Sequence, residues 1–91
     1  MNEFIFHEDP SHGWLEVTMA DLRRLSTPEV ITGFSYISDD GQTVYLEEDD
    51  DMGTFIASLQ AQGLEYQWQK RFYNGDCFIR NLRPYSYKGE S

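Results

Sequence analysis

The sequence predicts an α+β fold with the element order ββαββαββ, in which two helices cover one face of an antiparallel sheet. Three observations carry that expectation. Short runs rich in aromatic and β-branched residues recur along the chain, as strands require. Two junctions between such runs, Asp40-Gly41 and Asn74-Gly75, are dipeptides that favour tight hairpin turns. One stretch places Met52, Phe55, Ile56 and Leu59 at the spacing of an amphipathic helix. Strands joined by tight turns pair antiparallel, and two apolar helix stripes suffice to shield one side of them.

In chain order, Glu3–His7 alternates as a first strand, and the loop from Glu8 to Gly13 follows. There Asp9-Pro10 favours a turn and Gly13 permits an unusual backbone angle. Trp14–Val17 reads as a second strand. Thr18 then caps a short helix, with Asp21 three residues on, Leu22 and Leu25 facing inward and Arg23 and Arg24 outward. A two-residue turn at Asp40-Gly41 would pair Ile37 with Val44, Tyr36 with Tyr45, Ser35 with Leu46 and Phe34 with Glu47. Ile37, Val44 and Leu46 then face the core. Phe34, Tyr36 and Tyr45 share the opposite face, which is either covered by another segment or presented to a partner. The second helix begins after Glu47–Asp51, with Asp50 as its cap and the neighbouring acids suited to its dipole, and Gly63 stops it. A last hairpin is expected from residues 64–73 and 77–82, joined by Asn74-Gly75. Its register sets Phe72 against Cys77 and Lys70 against Ile79, so that Tyr66, Trp68, Phe72, Cys77 and Ile79 share an apolar face. From Pro84 onward a frayed tail is expected.

Ninety-one residues imply one domain, 1–91, with a thin core. The net charge is −9, and it is uneven. Residues 1–62 hold 13 acids and 2 bases, whereas residues 63–91 hold 3 acids and 5 bases. Direct binding of duplex nucleic acid or of an anionic membrane is therefore not expected, because both need Lys and Arg against phosphates. A basic protein surface is the natural partner. A single cysteine, Cys77, allows no internal disulfide, which suits a reducing cytoplasm. No 18-residue apolar run and no signal-peptide pattern occurs, so a soluble cytoplasmic protein is expected.

The acidic run Glu47–Asp51 is the first candidate site. Part of it is explained by helix capping and solubility; the rest, with Asp39 and Asp40, would present carboxylates where a nucleic-acid-binding protein expects phosphates. Calcium is a weaker reading, because the run does not follow the EF-hand spacing. His7 and His12 match no zinc pattern, and a loop histidine is ordinarily solvated. Cys77 should be a small buried hydrophobe rather than a nucleophile, and no phosphate-binding glycine loop or nucleophile elbow is present. No catalytic residue, cofactor or metal is expected. Arg71, Arg80 and Arg83 could pair with the acids of a second copy, which keeps a homodimer open.

Three blocks, HGWLEV (His12–Val17), TVYLEEDDD (Thr43–Asp51) and NGDCFIRNLRPY (Asn74–Tyr85), together resemble a group of small acidic proteins carried by phages, plasmids and bacterial genomes. The resemblance spans nearly the whole chain and brings no activity or site residues with it. It implies a setting: small acidic proteins of mobile elements often inhibit host defence, as DNA mimics, anti-restriction or anti-CRISPR proteins do. The expected function is thus a non-enzymatic acidic binding protein that blocks a basic, nucleic-acid-binding surface of a host defence protein. Asp39, Asp40, Glu47, Glu48, Asp49, Asp50 and Asp51 are the candidate contacts, with Tyr36 and Tyr45 as anchors. The alternative is a structural or homo-oligomeric accessory domain whose acids only confer solubility. An enzyme or metal protein built on His7, His12 and Cys77 is the third class.

Overall fold

The computed structural model describes residues 2–87. Among these, six strands form one sheet in the order β5-β1-β2-β4-β3-β6. The strands are β1 (Asn2–Glu8), β2 (Gly13–Thr18), β3 (Tyr36–Ile37), β4 (Thr43–Glu47), β5 (Tyr66–Phe72) and β6 (Arg83–Pro84). The helices are α1 (Met19–Leu25) and α2 (Asp51–Ala61), with short 3-10 turns at Pro28–Val30 and Phe78–Asn81. The sheet is mixed: β5 runs parallel to β1, and all other neighbours are antiparallel.

Local chemistry accounts for the helix ends. The Thr18 hydroxyl accepts the Asp21 N–H at 3.0 Å, satisfying one of the open donors at the start of α1. Gly63, at φ +70°, closes α2. Its N–H donates to the Gln60 carbonyl at 3.0 Å, and the Leu64 N–H donates to the Leu59 carbonyl at 3.0 Å. Phe4, Phe6, Leu15, Val17, Val44 and Leu46 from the strands form one cluster with Leu22 and Leu25 of α1 and Met52, Phe55 and Leu59 of α2. Fully burying a side chain such as Phe55 or Leu59 stabilises by about 1.5–3 kcal/mol.

The β3–β4 hairpin keeps its expected register, Tyr36 with Tyr45 and Ile37 with Val44. Its tip differs. Only Gly41 takes a positive φ, and the Gly41 N–H donates to the Ser38 carbonyl at 2.9 Å. Asp40 ties the loop by accepting from the Ser38 hydroxyl at 2.6 Å and the Gln42 N–H at 2.9 Å. The expected pairings Ser35–Leu46 and Phe34–Glu47 do not form. Ser35 is drawn inward instead, its hydroxyl donating to the Asp51 carboxylate at 2.6 Å and accepting from the Glu47 N–H at 3.0 Å.

The expected last hairpin is absent. β5 lies against β1 from Asn2–Tyr66 to Glu8–Phe72. The chain then turns away at Asn74-Gly75, where neither residue has the positive φ that a tight hairpin turn needs. Cys77 and Ile79 become fully buried against Trp14 and Tyr45, with Tyr36, Tyr73 and Leu82 around them. The reason is burial. A strand added outside polar, exposed β5 would have left these side chains at a solvent edge, whereas the aromatic side of β2 and β4 offers them a dry surface. That segment covers the Tyr36 and Tyr45 face, the alternative left open by the sequence.

The expected fray at Pro84 is also corrected. Arg83–Pro84 pairs with β3, the Tyr85 N–H donates to the Ser35 carbonyl at 2.8 Å, and the buried Tyr85 hydroxyl donates to the Pro28 carbonyl at 2.7 Å. Burial pushes that phenol up to about 12. The rest of the expected tail, 88–91, lies outside the described residues. Gly13 does not take a positive φ. It is required because a Cβ there would stand 2.3 Å from the Phe6 ring and 2.8 Å from the Glu48 carboxylate.

Candidate binding pocket

A cavity of about 440 Å³ opens where the loop after β1, the segment entering β3 and the turn after β4 meet. Strand pairing builds its floor. Trp14 on β2 faces Glu47 on β4, and Tyr36 on β3 meets the Trp14 ring edge-on at 6.3 Å. Trp14 is 2% exposed, and its indole N–H has no acceptor among the described residues. His12 stacks on the Trp14 ring at 6.0 Å. Phe34 stands on the rim, 70% exposed. Asp49 and Asp50, exposed in the turn before α2, complete the lining with Glu47 and Arg80.

The charges of the lining fall into two groups. Arg80 is spent on the neighbouring loop. Its guanidinium donates to the two oxygens of buried Asp9 at 2.7 and 2.9 Å and lies 5.3 Å over the Trp14 ring. Asp9 also accepts the N–H groups of Ser11 at 3.1 Å, His12 at 3.0 Å and Cys77 at 3.1 Å. The Arg80 guanidinium, with those backbone donors, holds the Asp9 carboxyl well below the usual carboxylate range. Glu47, Asp49 and Asp50 have no Lys or Arg nitrogen within 4.0 Å among the described residues. Partial burial pushes the Glu47 carboxyl up, and the charge of Asp49 adds to the shift. Such a lining can accept a cation against aromatic walls.

Of the residues expected from the sequence to bind a partner, the fold brings Tyr36, Glu47, Asp49 and Asp50 into this pocket. Asp39 and Asp40 lie apart at the hairpin tip. Glu48 is exposed and outside the lining, with its N–H donated to the Gly13 carbonyl at 2.9 Å. Two expectations need correction. Asp51 is only 1% exposed and faces inward, accepting from the Thr32 N–H at 3.0 Å and hydroxyl at 2.8 Å and from Ser35. Three donors inside the fold outcompete solvent for that carboxylate. Tyr45 is buried in the second cluster and is not an anchor. Asp50 occupies the cap position of α2, but its side chain caps nothing. His12 and Trp14, Phe34, and Arg80 come from three segments far apart in sequence; the sequence singles out Phe34 as a possible contact and Arg80 as a cation for a second copy, but nothing in it joins these residues to the acidic run.

The other polar centre is sealed. His7, 3% exposed, contacts Glu16 through Nε2 at 2.7 Å and the Tyr73 hydroxyl through Nδ1 at 2.9 Å. A carboxylate only accepts, so Nε2 carries the proton and Nδ1 accepts from Tyr73 in the neutral ring. The rings of Tyr45, Tyr73 and Phe78 enclose it at 5.6–5.9 Å. Burial pushes the Cys77 thiol up. Among the described residues, no three His, Cys, Asp or Glu side chains converge as a metal site, and no helix is long and apolar enough to cross a membrane.

Compared with models of protein families, with curated proteins and with solved structures, the chain matches none.

Proposed function

We propose that this is a non-enzymatic binding protein whose acidic face takes up a basic surface of another protein. One observation carries the reading. Glu47, Asp49 and Asp50 line an open pocket with no Lys or Arg paired to them among the described residues, because Arg80, the cation in the same lining, is taken up by Asp9. Carboxylates left in this way are suited to cations from outside. The partner class is a nucleic-acid-handling protein, whose Lys and Arg accept carboxylate in place of phosphate. The setting in bacterial host defence comes from the resemblance of the three sequence blocks.

The test starts with affinity capture from a bacterial lysate and identification of the partner. Binding is then measured with the variant Glu47→Gln/Asp49→Asn/Asp50→Asn. The expected result is at least a tenfold loss of affinity, and for the parent a steep weakening with salt, since exposed charges are screened over about 8–10 Å. Unchanged affinity in a variant that melts like the parent would sink the proposal. The rival reading, an oligomeric accessory domain, has one feature in its favour. β5 is an edge strand, and Phe72 at its end is 63% exposed. A stable homo-oligomer on sizing, with no captured partner, would favour that reading.

A further inference from the structure

We infer that the cleft between Phe34, Tyr36 and the carboxylates of Glu47, Asp49 and Asp50 is a receptor for one arginine side chain of the partner. This rests on the binding reading above and names the group that enters. The volume, about 440 Å³, falls in the usual range of about 300–1,000 Å³ for ligand pockets. Besides His12 and Arg80, the latter already paired with Asp9, its lining combines two chemistries that a guanidinium uses together. A planar, weakly hydrated cation stacks on aromatic rings, and its fork of N–H donors matches carboxylate oxygens. An ammonium would use the acids but has no plane to stack, and a hard divalent cation would make no use of the rings.

Three observations converge on this occupant. First, the protein already displays the chemistry at one wall of the cleft: Arg80 lies 5.3 Å over Trp14 and forks onto Asp9 at 2.7 and 2.9 Å. Second, Phe34 is 70% exposed on the rim and belongs to neither hydrophobic cluster, so the fold makes no use of its ring. Third, Trp14 is buried in the same lining with its indole N–H unpartnered. An arginyl residue within a peptide brings a backbone carbonyl as well as a cation, and so offers an acceptor that free guanidinium lacks. The raised Glu47 carboxyl agrees with a partly buried acid that is crowded by the charge of Asp49.

The test is an NMR titration of the full chain with N-acetyl-arginine methylamide, N-acetyl-lysine methylamide and guanidinium chloride. The arginine probe should shift the Trp14 indole N–H and the amides of Phe34, Asp49 and Asp50 saturably, with a dissociation constant on the order of millimolar for so small a ligand. The lysine probe and guanidinium should each bind at least about threefold more weakly, by the loss of stacking and of the carbonyl respectively. Phe34→Ala, an exposed change that should leave the fold intact, should weaken the arginine probe about threefold. Asp49→Asn/Asp50→Asn should weaken it at least about fivefold. No saturable shift at these residues, or equal binding of the lysine probe, overturns the inference. The two readings fail separately. If the acid variants lose the protein partner while the arginine probe never binds, the arginine receptor is wrong and the acidic interface stands. If the probe binds as expected while the partner ignores the acid substitutions, the receptor stands and the interface is wrong.

Discussion

Two acidic regions sit side by side in this protein and have opposite fates. At the turn after β1, Asp9 is buried and accepts from Arg80 and from three backbone N–H groups. Across Trp14, Glu47, Asp49 and Asp50 stand around a cleft whose one arginine, Arg80, is paired with Asp9 and not with them. The first region joins the loop after β1 to the segment that covers the second face of the sheet. The second joins nothing within the described residues. A carboxylate that is structural is recognised by its donors, and one that is available is recognised by their absence. Composition alone cannot distinguish the two, because both belong to one acidic surplus.

The comparison is sharpened most by Asp9→Asn. It leaves Arg80 without its counter-charge and should destabilise by about 2–3 kcal/mol in urea denaturation, at the low end for a buried pair because Arg80 is partly solvated. A change below about 0.5 kcal/mol would break the distinction between the two regions. The next test is pH. The folded Asp9 carboxyl lies below its ordinary range, so its contribution is present above about pH 4 and is lost as the pH falls further. Glu47 is shifted upward, so its contribution has the other sign: present in acid and lost as the pH rises through its folded value. Stability should therefore rise slightly on mild acidification and fall steeply below about pH 4, and Glu47→Gln should remove only the rise. The smallest effect belongs to Glu47→Gln/Asp49→Asn/Asp50→Asn, which should leave stability within about 0.5 kcal/mol of the parent or raise it by relieving repulsion. A large loss of stability there would mean that these acids are structural after all.

Much of the scaffold is legible in the residues. The Thr18 cap, the stripe on α2, the Gly63 stop and the register of Tyr36 with Tyr45 all follow from interactions between residues near one another in sequence. The site was half legible, since Tyr36, Glu47, Asp49 and Asp50 lie in an acidic, aromatic stretch. Asp51 was indistinguishable from its neighbours, because nothing local reveals that Thr32 and Ser35 will aim their donors at it. Asn74-Gly75 misled, because its preference for a hairpin is worth less than the burial of Cys77 and Ile79 on the far side of the sheet.

The sequence by itself determined the two helices, the central hairpin register and the acidic balance, since helix periodicity, cap chemistry and net charge are short-range or additive properties. Only the tertiary structure decided that β5 runs parallel to β1, that the segment after it folds over Trp14 and Tyr45, and which acids are consumed inside. Those outcomes depend on competition between distant surfaces for the same buried contacts, and that competition is resolved only once the chain has closed on itself.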